Sequence, residues 1–291
     1  MKKGNISYTA AYIVVKFYGL TLDPKIGKNF DPSLIDFYEK MVRFLPKHLS
    51  WYHNSLTSSF WRKLFIFSEE LLLPGDLMHI VCRKYYMTAL VDKAITEGVE
   101  QFVSLGSGFD HLGAYASSKG VPSYELDMDF MVDQKQKFLE HSGLANEFLH
   151  VAPIDVIKQR IPDVLKKMES FSPNKKTAFI CEGFFDYLPL QTTEEVLGDI
   201  KLLNPDNQLI STFFSLDELN WFHRLSFTSG VTLVGESLKL PLNRMGFHEL
   251  LKNTGFSVSE EFSYDDMRKG LVEPSGITLP VLKGFYVMSA D

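Results

Sequence analysis

The spacing of apolar residues along the chain changes once, close to Gly98. Before this point apolar side chains recur at helical spacing, and aromatic residues are frequent. The clearest stretches are TAAYIVVKFYGL, SLIDFYEKMVRFL, SSFWRKLFIFSEELLL and HIVCRKYYMTALVDKAI. The pairs Asp23-Pro24, Asp31-Pro32 and Pro74-Gly75 interrupt them, as turn residues do. The pattern predicts a helical cap over residues 1–97.

After Gly98 short apolar runs alternate with helical segments, which is typical of a parallel α/β sheet. Strands are predicted at Phe102–Leu105, Ser123–Asp127, Phe148–Ala152, Ala178–Glu182 and Leu209–Phe214. Near the C-terminus the helix LNRMGFHELLKNTGF is followed by two strands, in SVSEEFSY and LKGFYVMSA. Two strands without an intervening helix favour an antiparallel final pair.

The composition is that of an ordinary globular protein, with 45% hydrophobic and 23% charged residues. The net charge of -6 argues against nucleic acid as a partner, because phosphate binding requires clustered Lys and Arg. No stretch of about 18 uninterrupted apolar residues occurs, so no membrane-spanning segment and no membrane partner are expected. Lys16 interrupts the apolar N-terminal stretch and no cleavage pattern follows, so export is not expected either.

The cysteine and histidine positions suggest no metal site. Cys82 and Cys181 are far apart, and each lies in an apolar stretch, so a disulfide is not expected and a cytoplasmic location fits best. None of the eight histidines is arranged like a set of metal ligands. His79, His111 and His223 are expected at the surface or in the core with satisfied hydrogen bonds.

The stretch FVSLGSGFDHLGAY carries the clearest chemical signal. An apolar strand ends at Gly106, Ser107 and Gly108, where a helix is about to begin. Glycines at such a turn let a ligand approach the backbone, and the N–H groups of the following helix are free to bind it. A GxG turn also occurs by chance at strand ends, but the second strand ends in Asp127, 21 positions after Gly106. A carboxylate there is well placed to bind ribose hydroxyls, so the pattern favours a nucleotide cofactor.

Dinucleotide enzymes and S-adenosylmethionine enzymes share this arrangement, and the third glycine separates them. Dinucleotide binding usually requires G-x-G-x-x-G/A, which lets the helix pack closely beneath a pyrophosphate. Here the sixth position is His111. The sequence therefore favours S-adenosylmethionine, and an NAD(P)-dependent oxidoreductase remains an alternative.

Five ordered blocks resemble the leucine carboxyl methyltransferase family and its bacterial S-adenosylmethionine-dependent relatives: CRKYYMTALVDKAI, VSLGSGFDHLGAY, YELDMD, VAPIDV and ICEGFFDYLP. The chain departs from the family pattern at Ser107, where Ala is usual, and at Asp129, where the family pattern has a proline. The resemblance implies a class I methyltransferase fold, an α/β Rossmann-like sheet of seven strands in the order 3-2-1-4-5-7-6. Residues 98–291 would form this core, with the helical cap and an inserted lid at about 215–241 enclosing the site.

The same resemblance implies a role for each of ten residues. Arg83 would bind the cofactor's carboxylate, and the turn of Gly106, Ser107 and Gly108 would approach its amino acid portion. The remaining roles are ribose binding by Asp127, contact with adenine by Met128, Asp155 and Val156, contact with the methionine amine by Glu182, and a catalytic position near the reacting methyl for Tyr187. No N-terminal basic residue can be assigned, since Lys16 does not align with the family.

Several of these residues have a structural alternative. Arg83 would otherwise form a surface ion pair with Asp76 or Asp92. Asp155 would otherwise cap the helix VIKQRIPDVL, and Tyr187 would otherwise lie in the core. Glu182 follows the buried run AFIC, where an unpaired carboxylate is costly, so it is expected to face a polar cleft.

The predicted function is S-adenosylmethionine-dependent O-methylation, with S-adenosylhomocysteine as product. A carboxylate acceptor, on a small molecule or a protein C-terminus, is favoured because it needs no general base, and the sequence offers no clear base. A catalytically inactive S-adenosylmethionine-binding protein is the second alternative.

Overall fold

The computed structural model describes residues 7–233 and 237–291. Residues 1–6 of the predicted cap and residues 234–236 of the predicted lid lie outside the described residues. The segment before the first strand is helical, as predicted, with α1 (Tyr8–Thr21), α2 (Pro24–Gly27), α3 (Pro32–Phe44), α4 (Lys47–Ser50), α5 (His53–Thr57), α6 (Ser59–Leu72) and α7 (Asp76–Thr96).

The Asp-Pro pairs begin helices in this segment. The Asp23 side chain accepts a hydrogen bond from the backbone N–H of Lys25 at 2.9 Å, and Asp31 accepts one from Ser33 at 2.8 Å. Each aspartate is an N-cap, and the proline that follows occupies the first turn, where no N–H is needed.

The rest of the described chain alternates strands and helices. The strands are β1 (Gln101–Leu105), β2 (Ser123–Asp127), β3 (Leu149–Pro153), β4 (Thr177–Cys181), β5 (Gln208–Phe214), β6 (Val258–Phe262) and β7 (Phe285–Ala290). The helices are α8 (Leu112–Ser118), α9 (Asp129–Ser142), α10 (Ile161–Leu165), α11 (Leu190–Leu203), α12 (Trp221–Leu233), α13 (Arg244–Asn253) and α14 (Tyr264–Met267). Short 3-10 turns cover Phe185–Tyr187 and Leu216–Glu218, and a π-helical turn covers Arg268–Val272.

The strands form one seven-stranded sheet in the order β3-β2-β1-β4-β5-β7-β6, which confirms the predicted topology. The first five strands are parallel, whereas β7 pairs antiparallel with both β5 and β6. The carboxyl ends of β1, β2 and β4 therefore meet at one edge of the sheet. One predicted boundary was wrong at this edge: β4 ends at Cys181, because the backbone leaves the ladder at Gly183, whose φ is +60° and whose N–H donates to the Thr212 hydroxyl.

Side chains of each strand alternate between two apolar clusters, one on each face of the sheet. On β4, Ala178 and Ile180 belong to one cluster, and Phe179 and Cys181 belong to the other. Buried residues of α1, α3 and α7 belong to the same cluster as Ala178, so the N-terminal helices pack directly on the sheet. Among the described helices, none is long and apolar enough to span a bilayer.

Candidate functional site

A cavity of about 500 Å³ opens at the edge of the sheet where β1, β2 and β4 end. All ten residues singled out from the sequence line it: Arg83, Gly106, Ser107, Gly108, Asp127, Met128, Asp155, Val156, Glu182 and Tyr187. The strand register explains this convergence. Leu105 pairs with Leu126, and Ser104 pairs with Ile180, so the residues that follow each strand emerge side by side.

The turn after β1 brings bare backbone to the cavity. Gly106 and Gly108 have φ angles of +64° and +48°, in the left-handed region that favours glycine. A Cβ on Gly106 would lie 2.6 Å from the Phe184 ring, so no side chain fits there. A ligand can therefore approach the backbone of this turn closely, although the N–H groups of Gly106 and Gly108 already donate to the Leu126 carbonyl and to Asp127.

Asp127 fastens this turn to the end of β2. Its Oδ2 accepts a hydrogen bond from the Gly108 N–H at 2.7 Å, and its Oδ1 accepts one from the Met128 N–H at 2.6 Å. Burial raises the pKa of Asp127 above its ordinary value, although both backbone hydrogen bonds act against the shift. Each carboxylate oxygen has two acceptor sites, so a ribose hydroxyl would still find a free lone pair.

Glu182 is held by two adjacent cations of α7. Nε of Arg83 and Nζ of Lys84 both donate to its Oε1 at 2.5 Å. Its Oε2 is buried and has no hydrogen-bond partner among the described residues. Burial opposes ionisation of this carboxyl, but the two cations outweigh burial and lower the pKa of Glu182 to about 2. A buried, ionised oxygen without a donor is expected where a ligand supplies that donor.

Arg83 enters the cavity and does not form the predicted surface ion pair. The alternative partners, Asp76 and Asp92, were wrong because α7 turns Arg83 toward the sheet, where Glu182 takes its Nε. A Cβ on Gly183, whose φ is +60°, would lie 2.7 Å from Nη2 of Arg83, so glycine makes room for the guanidinium. The side chain keeps 13% of its surface exposed, against 1% for Glu182.

Asp155, Val156 and Met128 line the opposite part of the same cavity. The prediction that Asp155 caps a helix was wrong, because the next helix begins only at Ile161. Asp155 instead stabilises its own turn, with Oδ1 accepting from the Ile157 N–H at 3.2 Å and its carboxylate paired to Lys158.

Tyr187 lies in the 3-10 turn after β4 and is half-buried at the cavity wall, so it is not a core residue. The carbonyl of Asp186 accepts a hydrogen bond from the Lys239 N–H at 2.8 Å. This contact holds the segment of Ser237 and Lys239, both of which line the cavity, beside the turn. Part of the predicted lid therefore contributes to the cavity wall.

Sequence reasoning missed Lys84 and Tyr38, which also line the cavity. Lys84 directly follows Arg83, and its signal was a second cation within the otherwise apolar and aromatic run IVCRKYYM of α7. Tyr38 comes from α3 and makes a hydrogen bond of 3.1 Å to Nδ1 of His111. No local pattern marks it, because its partner lies 73 residues away.

His111 is a core histidine with both ring nitrogens satisfied, as predicted. Nε2 lies 2.9 Å from the Thr88 hydroxyl, and that hydroxyl donates its proton to the Lys84 carbonyl at 2.7 Å. The hydroxyl must then accept from Nε2–H, which leaves Nδ1 to accept from Tyr38. Burial lowers the pKa of His111 to about 3, so the ring is neutral. His79 is also buried, but its Nδ1 has no hydrogen-bond partner among the described residues, so the expectation of satisfied hydrogen bonds was wrong there. His223 is half-buried and bonds the Asn220 side chain at 3.1 Å.

A second charged group lies beneath the cavity. Nζ of Lys135 is 3.0 Å from Oε2 of Glu125 and donates to the Asp110 carbonyl at 2.6 Å. The Asp110 carboxylate accepts from the Leu112 N–H at 2.9 Å, in the turn that precedes α8. Burial, the largest effect, raises the pKa of Glu125 to about 7 against the pull of Lys135. No sequence pattern predicted this network.

Neither cysteine takes part in the site. Cys82 and Cys181 are buried and free, and burial raises the pKa of both thiols. Within residues 7–233 and 237–291, no three His, Cys, Asp or Glu side chains come together as metal ligands would.

The topology and the site together define the class. A sheet in the order 3-2-1-4-5-7-6, with a glycine turn after its first strand and carboxylates at the ends of its second and fourth strands, is a class I methyltransferase fold. The family profile described as leucine carboxyl methyltransferase matches residues 43–201, more than half of the chain. The chain belongs to this family.

Two curated relatives carry the name of S-adenosyl-L-methionine-dependent methyltransferases. One, from Mycobacterium tuberculosis, is 30% identical over 135 residues, which are 45% of this chain and 38% of that protein. The other, from Mycolicibacterium vanbaalenii, is 24% identical over 217 residues, which are 72% of this chain and 67% of that protein. This chain thus spans well under half of the length of the first relative.

Solved structures share the fold at low identity. A DUF574 family protein from Streptomyces avermitilis superposes with a TM-score of 0.57 over 95% of both chains, at 12% identity. A magnesium protoporphyrin IX methyltransferase from Synechocystis, with bound S-adenosylhomocysteine, gives a TM-score of 0.50 over 73% of this chain and 84% of that chain, at 13% identity. These likenesses concern the fold alone.

Proposed function

We propose that this chain is an S-adenosylmethionine-dependent O-methyltransferase that methylates a carboxylate. One observation carries the proposal: the buried, unpartnered Oε2 of Glu182 beside the guanidinium of Arg83. Arg83 uses Nε to bind Glu182, which leaves the fork of its terminal nitrogens for a second carboxylate. Arg83 thus offers two donors for a carboxylate, and the neighbouring Glu182 offers an acceptor for an ammonium group. Together they match a free amino acid group, such as the methionine portion of S-adenosylmethionine.

The other cavity residues suit the rest of this cofactor. Asp127 would accept from the ribose hydroxyls, and the open backbone at Gly106 would allow close approach. Met128, Asp155 and Val156 would contact the adenine ring. When bound, S-adenosylmethionine would supply a sulfonium methyl group that a nucleophile displaces in line. Tyr187 would lie near the reacting methyl and help to exclude water.

The acceptor end of the cavity favours an anion with an apolar body. Four cations line the described part of the cavity. Arg83 and Lys84 bind Glu182, and Lys158 binds Asp155, whereas Lys239 has no acidic partner among the described residues. The same cavity has apolar lining residues, which include Ile13, Val14, Phe184 and Leu188. A carboxylate next to Lys239 would be oriented by a charge-assisted hydrogen bond.

No histidine is among the described residues that line the cavity, and this favours a carboxylate acceptor, which is already ionised at neutral pH. His111 is neutral and buried, with both ring nitrogens used by Tyr38 and Thr88. It is therefore in no position to take a proton from an alcohol.

The predicted cap of residues 1–97 and the predicted lid at about 215–241 are supported by the cavity lining, because Ile13 of the cap and Lys239 of the lid both line the cavity.

The same histidine argues against the NAD(P) alternative. His111 replaces the small residue that lets a helix pack beneath a pyrophosphate, and its side chain is buried. The alternative of a catalytically inactive S-adenosylmethionine-binding protein predicts the same cofactor binding but no methyl transfer. The cytoplasmic location stays a prediction that rests on the two free cysteines.

Calorimetry with S-adenosylhomocysteine and with NAD, side by side, tests the cofactor. We expect S-adenosylhomocysteine to bind and to raise the melting temperature by mass action, and NAD to do neither. Transfer of tritiated methyl to octanoate, compared with octan-1-ol, then tests the acceptor. If NAD binds and S-adenosylhomocysteine does not, the proposal is overturned. If S-adenosylhomocysteine binds but only octan-1-ol becomes labelled, the proposed carboxylate acceptor is wrong.

A further inference from the structure

Helix α6 presents an apolar face to solvent. None of its residues is buried, and its large exposed side chains are Phe60, Trp61, Leu64, Phe67, Leu71 and Leu72. A surface helix normally turns its apolar residues inward, whereas α6 packs only Phe65 and Ile66 against the core and leaves these six exposed. No residue of α6 lines the cavity, so the proposed reaction does not account for this face.

Trp51 extends this face beyond the helix. Its ring contacts Tyr52, whose ring stacks on Phe65 of α6 with centroids 5.8 Å apart. The exposed fractions are 73% for Trp51, 69% for Phe60, 53% for Trp61 and 67% for Phe67. With roughly 150 to 250 Å² on each aromatic side chain and the leucines added, the area is on the order of the 800 Å² that one subunit buries in a standard dimer. Trp51 and the six α6 residues are called the α6 face.

Four residues of the α6 face form a helix-pairing seam. Phe60, Leu64, Phe67 and Leu71 follow one another at intervals of four, three and four residues, the spacing of a and d positions. The sequence of intervals reads the same in both directions. A second copy of α6 in antiparallel orientation would therefore place Phe60 opposite Leu71 and Leu64 opposite Phe67.

The charged residues of α6 lie outside this seam. Arg62 donates to the Leu56 carbonyl at 2.9 Å, Lys16 binds Glu69, and Glu70 accepts from the Gly75 N–H at 2.9 Å. The four seam residues are all apolar, so pairing two copies along the seam buries no unpaired charge.

We propose that two copies of this chain form a symmetric dimer through antiparallel pairing of their α6 faces, about a two-fold axis between Leu64 and Phe67. Such an interface is isologous, because each copy contributes the same surface. The pairing leaves the cavity open, since that lies on residues outside α6.

Sedimentation velocity over a concentration series tests the dimer. We expect the full chain to dimerise, and Phe67→Glu at the centre of the seam to raise the dissociation constant at least about tenfold, because it buries an unpaired charge. Leu202→Glu is the matched control, since Leu202 is 75% exposed on α11, away from α6. A wild type that stays monomeric throughout, or equal weakening by both variants, would overturn the proposal.

Cysteine cross-linking tests the orientation and does not depend on the charged variant. Cys82 and Cys181 are buried, so the thiols introduced by Leu64→Cys and Phe67→Cys are the reactive ones. Antiparallel pairing predicts that a mixture of the two variants forms mixed disulfides faster than either variant alone. Faster homodimer formation by each single variant contradicts it. Binding to phosphatidylcholine vesicles by a chain that stays monomeric would assign the face to lipid and likewise overturn the proposal.

Discussion

Arg83 and Glu182 lie 99 residues apart, yet Nε of Arg83 donates to Oε1 of Glu182 across 2.5 Å. Lys84 donates to the same oxygen, so one carboxylate is shared by two buried cations. The second oxygen, Oε2, has no partner among the described residues. This asymmetry separates the oxygen of Glu182 that binds α7 from the oxygen that we propose binds a ligand.

Replacing Arg83 by Lys tests the proposed contact with the cofactor's carboxylate. Lysine cannot bind Glu182 and a second carboxylate with a fork of donors, so Arg83→Lys is expected to weaken S-adenosylhomocysteine binding by about 1.5 to 3 kcal/mol. Calorimetry measures the loss. Adenosine, which lacks the amino acid, serves as the control and is expected to bind both proteins equally. Unchanged affinity for S-adenosylhomocysteine would remove Arg83 from the site.

Glu182→Gln is expected to destabilise the fold by about 3 to 5 kcal/mol at pH 7, because it leaves Arg83 and Lys84 buried without a counter-charge. The pKa of Glu182 is lowered to about 2 from 4.5. Its contribution is therefore present above pH 4.5 and is lost as the pH falls toward 2. Urea unfolding at several pH values checks both effects. The exposed Glu194→Gln is the control, and an equally small loss from both variants would contradict the pairing.

Asp127→Ala is expected to weaken S-adenosylhomocysteine binding by about 1.5 to 3 kcal/mol through the loss of charge-assisted hydrogen bonds. The variant also frees the Gly108 N–H, which Asp127 now accepts. Asp129→Ala is a close control, since Asp129 is exposed and outside the cavity lining. A folded Asp127→Ala protein with wild-type affinity in calorimetry would show that the end of β2 does not bind the cofactor.

Glu125 predicts a pH effect of the opposite sign. Burial raises its pKa to about 7 from 4.5, so the folded state holds its proton more tightly than the unfolded state does. Its contribution is present below pH 4.5 and is lost as the pH rises through 7, by about 1 to 3 kcal/mol. Glu125→Gln is expected to flatten this slope in denaturant unfolding between pH 5 and 8. The control is Glu140→Gln at an exposed position, which is expected to leave the dependence of unfolding free energy on pH unchanged. An unchanged dependence in Glu125→Gln as well would contradict the raised pKa of Glu125.

Lys239→Met tests the proposed acceptor contact. With octanoate as acceptor we expect KM to rise about tenfold while the affinity for S-adenosylhomocysteine is unchanged, because only the charge-assisted contact with the carboxylate is lost. Lys158→Met is the matched control, since Lys158 also lines the cavity but is paired with Asp155. Equal KM values for wild type and Lys239→Met would place the acceptor elsewhere.

The sequence by itself determined the elements and the residues at their ends. Strand β2 was predicted with its observed bounds, Ser123–Asp127, because apolar periodicity and a terminal carboxylate are local signals. The glycine turn at Gly106 was equally local, since φ preference belongs to a single residue. The order of the strands followed from the family resemblance. None of these features depends on a contact between residues that are distant in sequence.

Only the tertiary structure decided which side chains face one another. The pairing of Arg83 with Glu182, in place of Asp76 or Asp92, depends on the rotation of α7 above the sheet. The contact of Tyr38 with His111 crosses 73 residues. In the same way, helical spacing in α6 showed an apolar stripe but not that the stripe points outward. Periodicity gives the face of a helix, whereas the direction of that face is set by packing against elements distant in sequence.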